Sequence, residues 1–359
     1  MTASKTARPP RSPKTTPLGA SVDYGVLLAG RAREFLRWVE VILTKAEPSP
    51  DDVHDARVAG RRLIAALRFF EPLLRRRRTR RLRRAVRAAI GALGDFRDAD
   101  ILVGLLERAG KPEPSPPIKQ AERADPPDPS TAPNILAAAI LALQAGRDEA
   151  AARSREDFKA ALPHTVIRGL QRLSNRGLPR RFNRPPWPDL LPYFAALQLQ
   201  RVTHEFAALA ATMNRNSPPD DLHRLRIVGK RLRYSVEIAL PPLPAHSLLK
   251  TLRDLQDMLG TLHDLDVAIE YVDALARGGA PSASVFDPPR PPGTPATDQR
   301  VANAAARLRA DRAALHARFL RVWSRRRFET LARRITEAAA QSQILAPAMG
   351  KVIADRDHR

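Results

Sequence analysis

Two segments of the chain each carry a histidine followed by two cationic residues at spacings of three and four. They are His54, Arg57 and Arg61 in the first segment, and His223, Arg226 and Lys230 in the second. These spacings stack side chains on one face of an α-helix. Arginine offers a planar fork for phosphate oxygens, lysine a point charge, and histidine a hydrogen bond or a further charge when protonated. A basic helix face of this kind is either a solvated surface or the contact surface of a counter-anion.

The two segments belong to an internal repeat. Residues 53–63 align with 222–232 at an offset of 169, and residues 93–100 align with 259–266 at an offset of 166. The second pair reads Leu-Gly-x-x-x-Asp-x-Asp in both copies. Two motifs in the same order rarely arise by chance, and the period is too long for a solenoid. We therefore expect two related helical bundles packed on each other.

Each motif helix is predicted to have an apolar side and a basic side. In the first copy the apolar stripe runs from Ala56 to Leu74, and the opposite stripe continues from Arg61 through Ala65 to Arg68. The helix after each motif carries a further pair of cations, Arg84 and Arg87 in the first copy and Lys250 and Arg253 at the aligned positions of the second. A lone basic stripe is usually a solvated surface, but the same stripe in both halves favours a bound counter-anion.

The elements that position these stripes are predicted to be helices. Apolar residues recur at spacings of three and four, and the composition is dominated by Ala, Leu, Arg and Glu. The sequence contains no run of alternating β-branched residues of the kind that predicts a strand. The fold class is therefore all-α. The predicted helices are 22–46, 49–78, 79–109, 134–177, 190–214, 218–240, 245–277 and 299–340. Four of these fall in each half, so we expect two four-helix bundles related by duplication and pseudo-twofold symmetry.

Proline clusters divide the chain further. Segments 111–133 and 279–298 are rich in proline, which removes a backbone donor and blocks helix interiors, so both are predicted to be mobile loops. The expected organisation is a basic disordered tail (1–20), a first bundle (21–180), a second bundle (190–345) and a C-terminal tail (346–359).

Composition limits the partners and the compartment. The 359 residues include 61 Lys and Arg against 38 Asp and Glu, a net charge of +23, which implies a polyanionic partner. The absence of cysteine excludes disulfides, thiolate metal sites and thiol chemistry, and it fits a reducing compartment. Apolar runs are too short to span a bilayer, and the first twenty residues do not resemble a secretory signal. We expect a cytoplasmic protein with no membrane association.

The motif residues resemble those of the CHAD domains, helical domains named for their histidines. The resemblance covers roughly residues 20–345 and rests on the two His-x-x-Arg-x-x-x-Arg/Lys-Arg-Leu segments and the two Leu-Gly-x-x-x-Asp-x-Asp segments. It implies two pseudo-twofold-related bundles whose basic faces bind inorganic polyphosphate, with polyphosphate granules as an expected location and no cofactor. The residues implied in binding are the stripe residues His54, Arg57, Arg61, Arg84, Arg87, His223, Arg226, Lys230, Lys250 and Arg253, with Arg62, Arg231 and Arg233 beside the stripes.

This chain departs from the family pattern in two respects. Ile64 and Ala65 stand where the second copy has Arg233 and Tyr234, so the first half is expected to bind less tightly. The Glu-x-Glu-x-Lys motif of the triphosphatase domain fused to some relatives does not occur in the first twenty residues. We therefore expect no fused catalytic module.

Four other interpretations of the motifs compete with polyphosphate binding. A metal site at the histidines is disfavoured because arginines surround them. The Asp-x-Asp pairs, Asp98 with Asp100 and Asp264 with Asp266, point about 200° apart at i,i+2 on a helix, so salt bridges to arginines or cap contacts are favoured over a shared magnesium ion. Nonspecific nucleic-acid binding is the main rival, although aromatic residues are only 5% of the chain and no recognition motif occurs in the sequence. A polyphosphatase lacks a candidate nucleophile, base or metal cluster, so an enzyme is not expected.

Overall fold

The computed structural model describes residues 22–111, 135–277 and 299–354. These residues form eleven α-helices and no β-strand, which confirms the all-α class. The helices are α1 (Tyr24–Thr44), α2 (Pro50–Phe69), α3 (Arg76–Ala92), α4 (Asp95–Gly110), α5 (Ile135–Ala161), α6 (His164–Arg176), α7 (Trp187–Ala211), α8 (Pro219–Ala239), α9 (Pro242–Ala276), α10 (Gln299–Val322) and α11 (Arg325–Ala354). The predicted N-terminal tail and, apart from Lys111, the two proline-rich loops lie outside the described residues.

Four helices that the sequence predicted as continuous are interrupted. The first is the predicted helix 49–78, in which α2 ends at Phe69, a 3₁₀ turn follows at Glu71–Leu73, and α3 already begins at Arg76. The predicted helix 79–109 is divided between α3, which ends at Ala92, and α4. The predicted helix 134–177 is interrupted at Pro163, and the predicted helix 299–340 is interrupted at Ser324. Pro163 precedes the first residue of α6, where its missing N–H removes no helical hydrogen bond. The sequence missed these breaks because the apolar periodicity continues on both sides of each. At the C-terminus, α11 continues to Ala354 and so extends into the predicted tail.

Buried apolar residues form three clusters. The first lies between α1, α2, α3, α6 and the end of α5, and includes Phe35, Leu63, Val86, Phe158 and Leu170. The second lies between α7, α8, the start of α9 and α11, takes in the adjoining ends of α1 and α2, and includes Leu28, Phe70, Phe206, Leu232 and Trp323. The third joins α4 and the start of α5 to the end of α9 and the start of α10, and includes Leu106, Leu143, Ala268, Val272 and Leu308. The third cluster therefore draws helices from both halves of the sequence.

The two motif helices, α2 and α8, pack against each other. An ion pair crosses between them, with Nε of Arg62 3.1 Å from a carboxylate oxygen of Glu237. Apolar residues at the end of α2, such as Phe69 and Phe70, are buried in the same cluster as Leu232 and Val236 of α8. The packing of α2 on α8 therefore brings the two predicted basic stripes to one region of the molecule.

The glycine that precedes the second cation of each motif is more closely packed in α2 than in α8. A Cβ placed on Gly60 would lie 2.3 Å from Cγ2 of Ile90 and 3.2 Å from the Phe35 ring. A Cβ at the aligned Gly229 would have ordinary contacts, the nearest at 3.7 Å from Phe206. α2 therefore approaches its neighbours more closely than α8 does at this position.

We expect Gly60→Ala to destabilise the protein and Gly229→Ala to be neutral or stabilising. Alanine gains about 1 kcal/mol over glycine within a helix. At Gly60 this gain is exceeded by the displacement of Ile90, with a net loss of about 1–3 kcal/mol typical of overpacking. Urea denaturation of both variants measures the difference. Equal stability changes at the two positions would contradict this packing argument.

Candidate functional site

The two motif helices begin with different N-terminal sequences. The Ser49 hydroxyl accepts a hydrogen bond from the backbone N–H of Asp52, and the Asp52 carboxylate accepts one in return from the backbone N–H of Ser49, so α2 starts with a capping box. α8 starts with Pro219 at its first position and two acidic residues in its first turn. In both helices the apolar stripe is buried, which fixes the rotation of the helix and hence the direction of its basic stripe.

Lys230 of α8 lies at the centre of a group of like charges. Its pKa is lowered from 10.5 to about 8, first by burial and then by the charges of Arg226, Arg61 and Arg233, while Asp264 acts in the opposite direction. Arg61 belongs to α2 and the other two arginines to α8. The stripes predicted on the two motif helices therefore meet. We call Arg57, Arg61, Arg226 and Lys230, together with His223 and its neighbour His263, the central cluster.

Two histidines of the central cluster form a pair in the second half. The Nδ1 atoms of His223 and His263 are 3.3 Å apart, and the ring centroids are 4.5 Å apart. A hydrogen bond between them requires one Nδ1 to carry a proton and the other to accept it. Burial, then Arg226, His223 and Lys230, lowers the pKa of His263 to about 4. His263 is therefore uncharged at neutral pH and adds hydrogen-bonding capacity to the cluster.

His263 was not among the residues predicted for the site. The repeat aligns it with Arg97 in the Leu-Gly-x-x-x-Asp-x-Asp segment, one position before Asp264. A polar residue at this position in both copies was the available signal. By contrast, the predicted site residue His54 at the start of α2 is exposed.

Arg57 lies against the junction between α3 and α4. A Cβ on Gly94 would be 2.9 Å from Nη2 of Arg57 and 3.2 Å from its Cζ, so a larger residue there would displace the guanidinium from this position. The aligned Gly260, which lies within the unbroken α9, has open space at its Cβ position. In the first half, therefore, α3 ends beside the motif arginine Arg57. In the second half, α9 continues without a break through the aligned position.

The three cations predicted beside the stripes already have partners. Arg62 contacts Glu34 at 3.5 Å and Glu237 at 3.1 Å, both of which also pair with Arg31. Arg231 pairs with Glu205 of α7, and the Arg233 guanidinium lies 4.8 Å from the centre of the Tyr234 ring. Arg62 thus belongs to a charge-balanced network, and an anion contact by any of the three stays a prediction.

The cations predicted on the helix after each motif are exposed. Arg84 and Arg87 lie on α3, and the charge of Arg87 is among those that lower the pKa of Arg68 on α2. Lys250 and Arg253 lie on α9, where Nε of Arg253 donates to the Leu249 carbonyl of its own helix at 3.4 Å. Arg87 is therefore linked electrostatically to the motif helix α2.

The second aspartate of each Leu-Gly motif holds an arginine of a neighbouring helix. Asp100 pairs with Arg147 of α5 at 3.1 Å, and Asp266 pairs with Arg312 of α10 at 2.7 Å. The prediction of salt bridges is confirmed for these two, while the Asp98 side chain lies outside the described residues. Within the described part of the chain, no group of three or more His, Asp or Glu residues is placed to hold a metal ion.

We expect Lys230→Met to stabilise the fold at pH 7. Because the folded-state pKa of Lys230 is below its unfolded value, the protonated form opposes folding at pH values below about 8. This penalty declines as pH rises from about 8 toward 10.5. Removing the charge should raise the free energy of unfolding by about 1 kcal/mol at pH 7, within the range for relief of a strained functional site.

The measurement is urea denaturation at pH 7 and pH 10.5, with the exposed Lys250→Met as the matched control. The control should change stability by less than about 0.5 kcal/mol, and the gain in Lys230→Met should be smaller at pH 10.5. A loss of stability at pH 7 in Lys230→Met would contradict the crowding of charge at this site.

Comparison with known proteins identifies the class. The family model of the CHAD domain matches residues 27–273, and the chain belongs to this family. The match ends before α10 and α11. No curated protein matches the chain.

Two solved structures share the fold. The crystal structure of the CHAD domain from the plant Ricinus communis has 22% sequence identity and a TM-score of 0.51, covering 81% of this chain and 86% of that one. PptA from Streptomyces chartreusis has 18% identity and a TM-score of 0.52, covering 89% of this chain and 98% of its own. At these identities the similarity establishes the helical fold. Among the helices described, none has the length and apolar character needed to cross a bilayer.

Proposed function

We propose that this protein binds inorganic polyphosphate at the central cluster and does not hydrolyse it. The observation that carries the proposal is the position of Lys230, which is partly buried among Arg61, Arg226 and Arg233 and has a pKa of about 8. Cations crowded in this way raise the free energy of the folded state unless an anion compensates them. A bound anion would therefore offset the repulsion among the cations of the central cluster and lower the free energy of the folded state.

Polyphosphate fits this arrangement chemically. It is a flexible chain with about one negative charge per internal phosphate and no base edges to recognise, so spacing of charge is sufficient for recognition. Arg57, Arg61 and Arg226 offer planar forks for phosphate oxygens, and Lys230 offers a point charge. The neutral His263 can donate a hydrogen bond from its ring without adding charge. Membership of the CHAD family, and the resemblance of the motifs, support the same ligand.

We also infer that the two halves arose by duplication and are related by an approximate twofold axis near Arg61 and Lys230. These two residues are aligned by the repeat and act on each other across α2 and α8. Arg62 of α2 contacts Glu237 of α8. The repeat aligns Arg62 with Arg231 and Glu237 with Arg68. The charge of Arg231 in turn acts on Arg68, so the aligned pair is also in proximity. Reciprocal contacts of this kind are expected from twofold symmetry.

The proposed binding is non-catalytic and cytoplasmic, with association with polyphosphate granules as the corresponding location. The cluster is made of arginine, lysine and histidine, with Asp264 acting on Lys230. This composition supports retention of a polyanion. A phosphate-release assay with long-chain polyphosphate, in the presence and absence of Mg²⁺, tests the point. Turnover that is lost on substitution of the cluster would contradict it.

We expect polyphosphate affinity to fall about twentyfold between pH 7.5 and pH 9.5. Lys230 with a pKa of about 8 is largely neutral at pH 9.5 in the free protein, and nearby phosphates raise that pKa in the complex. Binding at high pH therefore requires proton uptake, which costs about 1.4 kcal/mol for each unit of pH above the pKa of the free lysine. Arginine and internal phosphates keep their charges over this range.

The matched control for the pH profile is Lys230→Arg, which keeps the charge at all these pH values. Its affinity should change by less than about twofold between pH 7.5 and 9.5, because arginine does not titrate in this range. Isothermal titration with long-chain polyphosphate measures both profiles. Identical profiles for the two proteins would show that Lys230 does not contact the ligand.

A further inference from the structure

A cavity of about 610 Å³ lies beside the central cluster, between the end of α2, the start of α3 and the middle of α7 and α8. Six arginines line it: Arg68, Arg76, Arg80, Arg83, Arg201 and Arg231. Its volume falls within the roughly 300–1,000 Å³ typical of ligand pockets. Arg201 comes from α7, a helix that the motif analysis did not connect with any site.

The charge of this arginine cavity is strongly unbalanced. Glu71 lines it and pairs with Arg83 at 2.7 Å and with Arg80 at 3.7 Å, and Glu205 pairs with Arg231. Six guanidinium groups thus face two carboxylates. The pKa of Arg68 is lowered by burial and then by Arg231 and Arg83, as expected where cations are confined together.

The residues aligned with Arg68 and Arg231 belong to a charge-balanced network. The repeat aligns Arg68 with Glu237 and Arg231 with Arg62. Glu237 and Glu34 there bind Arg31 and Arg62, with N–O distances between 2.6 and 3.5 Å. Two carboxylates balance two guanidiniums, so this region already has the counter-charges that the arginine cavity lacks. The excess of positive charge is therefore on one side of the central cluster.

The arginine cavity is continuous with the basic stripe of α2. Arg61 acts on Lys230 in the central cluster, Ala65 and Arg68 line the cavity, and the three share one helix face at spacings of four and three. From Arg61 to Arg68 the rise along the helix is about 10 Å. A chain bound at the central cluster can thus follow α2 into the cavity.

We infer that the arginine cavity is a second phosphate site, which holds the terminal phosphates of a polyphosphate chain whose internal phosphates lie on the central cluster. The inference rests on the proposed function. A terminal phosphate has a second ionisable proton, with a pKa near 6 to 7 by analogy with phosphate monoesters, and so approaches two charges at pH 7.5. Internal phosphates have one. The end of the chain is therefore the segment best matched to six arginines, and one end of the bound polymer is anchored in the cavity.

The test uses tripolyphosphate, in which two of the three phosphates are terminal, and the full chain with Arg76→Gln and Arg201→Gln combined. Both side chains are exposed and lie outside the central cluster, so the helices should be unaffected. Isothermal titration at pH 7.5 should show one tripolyphosphate per wild-type chain. The double variant should bind it at least tenfold more weakly, as expected when two charge-assisted hydrogen-bonding groups are removed. Arg318→Gln combined with Arg321→Gln, at exposed positions of α10, is the matched control and should stay within twofold.

A second arm uses long chains whose terminal phosphates are capped as phosphoramidates. Capped chains should bind the wild type and the Arg76/Arg201 variant with affinities within threefold of each other, while uncapped chains should prefer the wild type by at least fivefold. Equal tripolyphosphate affinity in the wild type and that variant, or no tripolyphosphate binding by the wild type, would overturn the inference and leave the proposed function standing. If long chains fail to bind the wild type while tripolyphosphate binding depends on Arg76 and Arg201, the proposed function fails and a phosphate site in the cavity remains.

Discussion

Reversing the charge of the four central cations is expected to abolish polyphosphate binding while the helices stay folded. The four substitutions are Arg57→Glu, Arg61→Glu, Arg226→Glu and Lys230→Glu. Each removes a charge-assisted hydrogen bond of about 1.5 kcal/mol or more and adds repulsion, so together they should lower affinity by more than about 10⁴-fold. Binding of labelled long-chain polyphosphate at 0.15 M salt measures the loss, and far-ultraviolet circular dichroism measures the helix content.

The fourfold variant should stay folded because it removes repulsion between like charges. Of its four substitutions, Arg57→Glu carries the greatest risk to folding, because Arg57 packs closely on Gly94. Arg61→Glu alone provides an independent reading. It places a carboxylate near Lys230, where the wild type has repulsion, and so should raise the unfolding free energy while lowering affinity by at least about tenfold. Opposite changes in stability and binding would distinguish a ligand-binding role from a structural one.

The matched control reverses four exposed arginines away from the cluster, Arg318, Arg321, Arg326 and Arg333 on α10 and α11. It has the same net charge as the fourfold cluster variant. We expect the control to keep its affinity within about tenfold and to show nearly the wild-type slope of log affinity against log salt. Removing a cation that binds a phosphate directly reduces that slope by nearly one. Equal loss of affinity in the two variants would show that bulk charge alone binds the polymer.

The fold class and the composition of the stripes could be predicted from the sequence because both depend on local periodicity. Helical spacing determines which residues share a face, so Arg57 and Arg61 on α2, and Arg226 and Lys230 on α8, were found without a structure. The breaks after Phe69 and at Gly94, Pro163 and Ser324 were not predicted, since apolar spacing continues across them. The shared third core was also missed, because periodicity shows that a face is buried but not which helix covers it.

The arrangement of the candidate site could not be predicted from the sequence, because it depends on contacts between distant segments. That α2 packs on α8, and that Arg61 therefore acts on Lys230, follows from tertiary packing and leaves no trace in either segment alone. The role of Arg62 was missed for the same reason, since its partners Glu34 and Glu237 lie on two other helices. His263 lies within an aligned motif, but its pairing with His223 depends on the position of α9 beside α8.

We expect polyphosphate to be preferred to duplex DNA by at least tenfold at equal phosphate concentration and 0.15 M salt. Duplex DNA is stiff, with a persistence length of about 50 nm, and cannot bend into a cluster that spans one helix pair. It can bind by its backbone to exposed arginines, which is a nonspecific interaction of about 10⁻⁴–10⁻⁶ M at physiological salt. Polyphosphate can follow the stripes of α2 and α8 and contact Arg61 and Lys230 together.

Competition binding tests the central claim most directly. The wild-type protein is loaded with labelled long-chain polyphosphate at pH 7.5 and 0.15 M salt, and unlabelled polyphosphate or duplex DNA is added at matched phosphate concentration. The organised cluster predicts half-displacement by polyphosphate at no more than one tenth of the phosphate concentration required with DNA. Half-displacement by both polymers at the same phosphate concentration would contradict the claim and leave a general polyanion-binding surface.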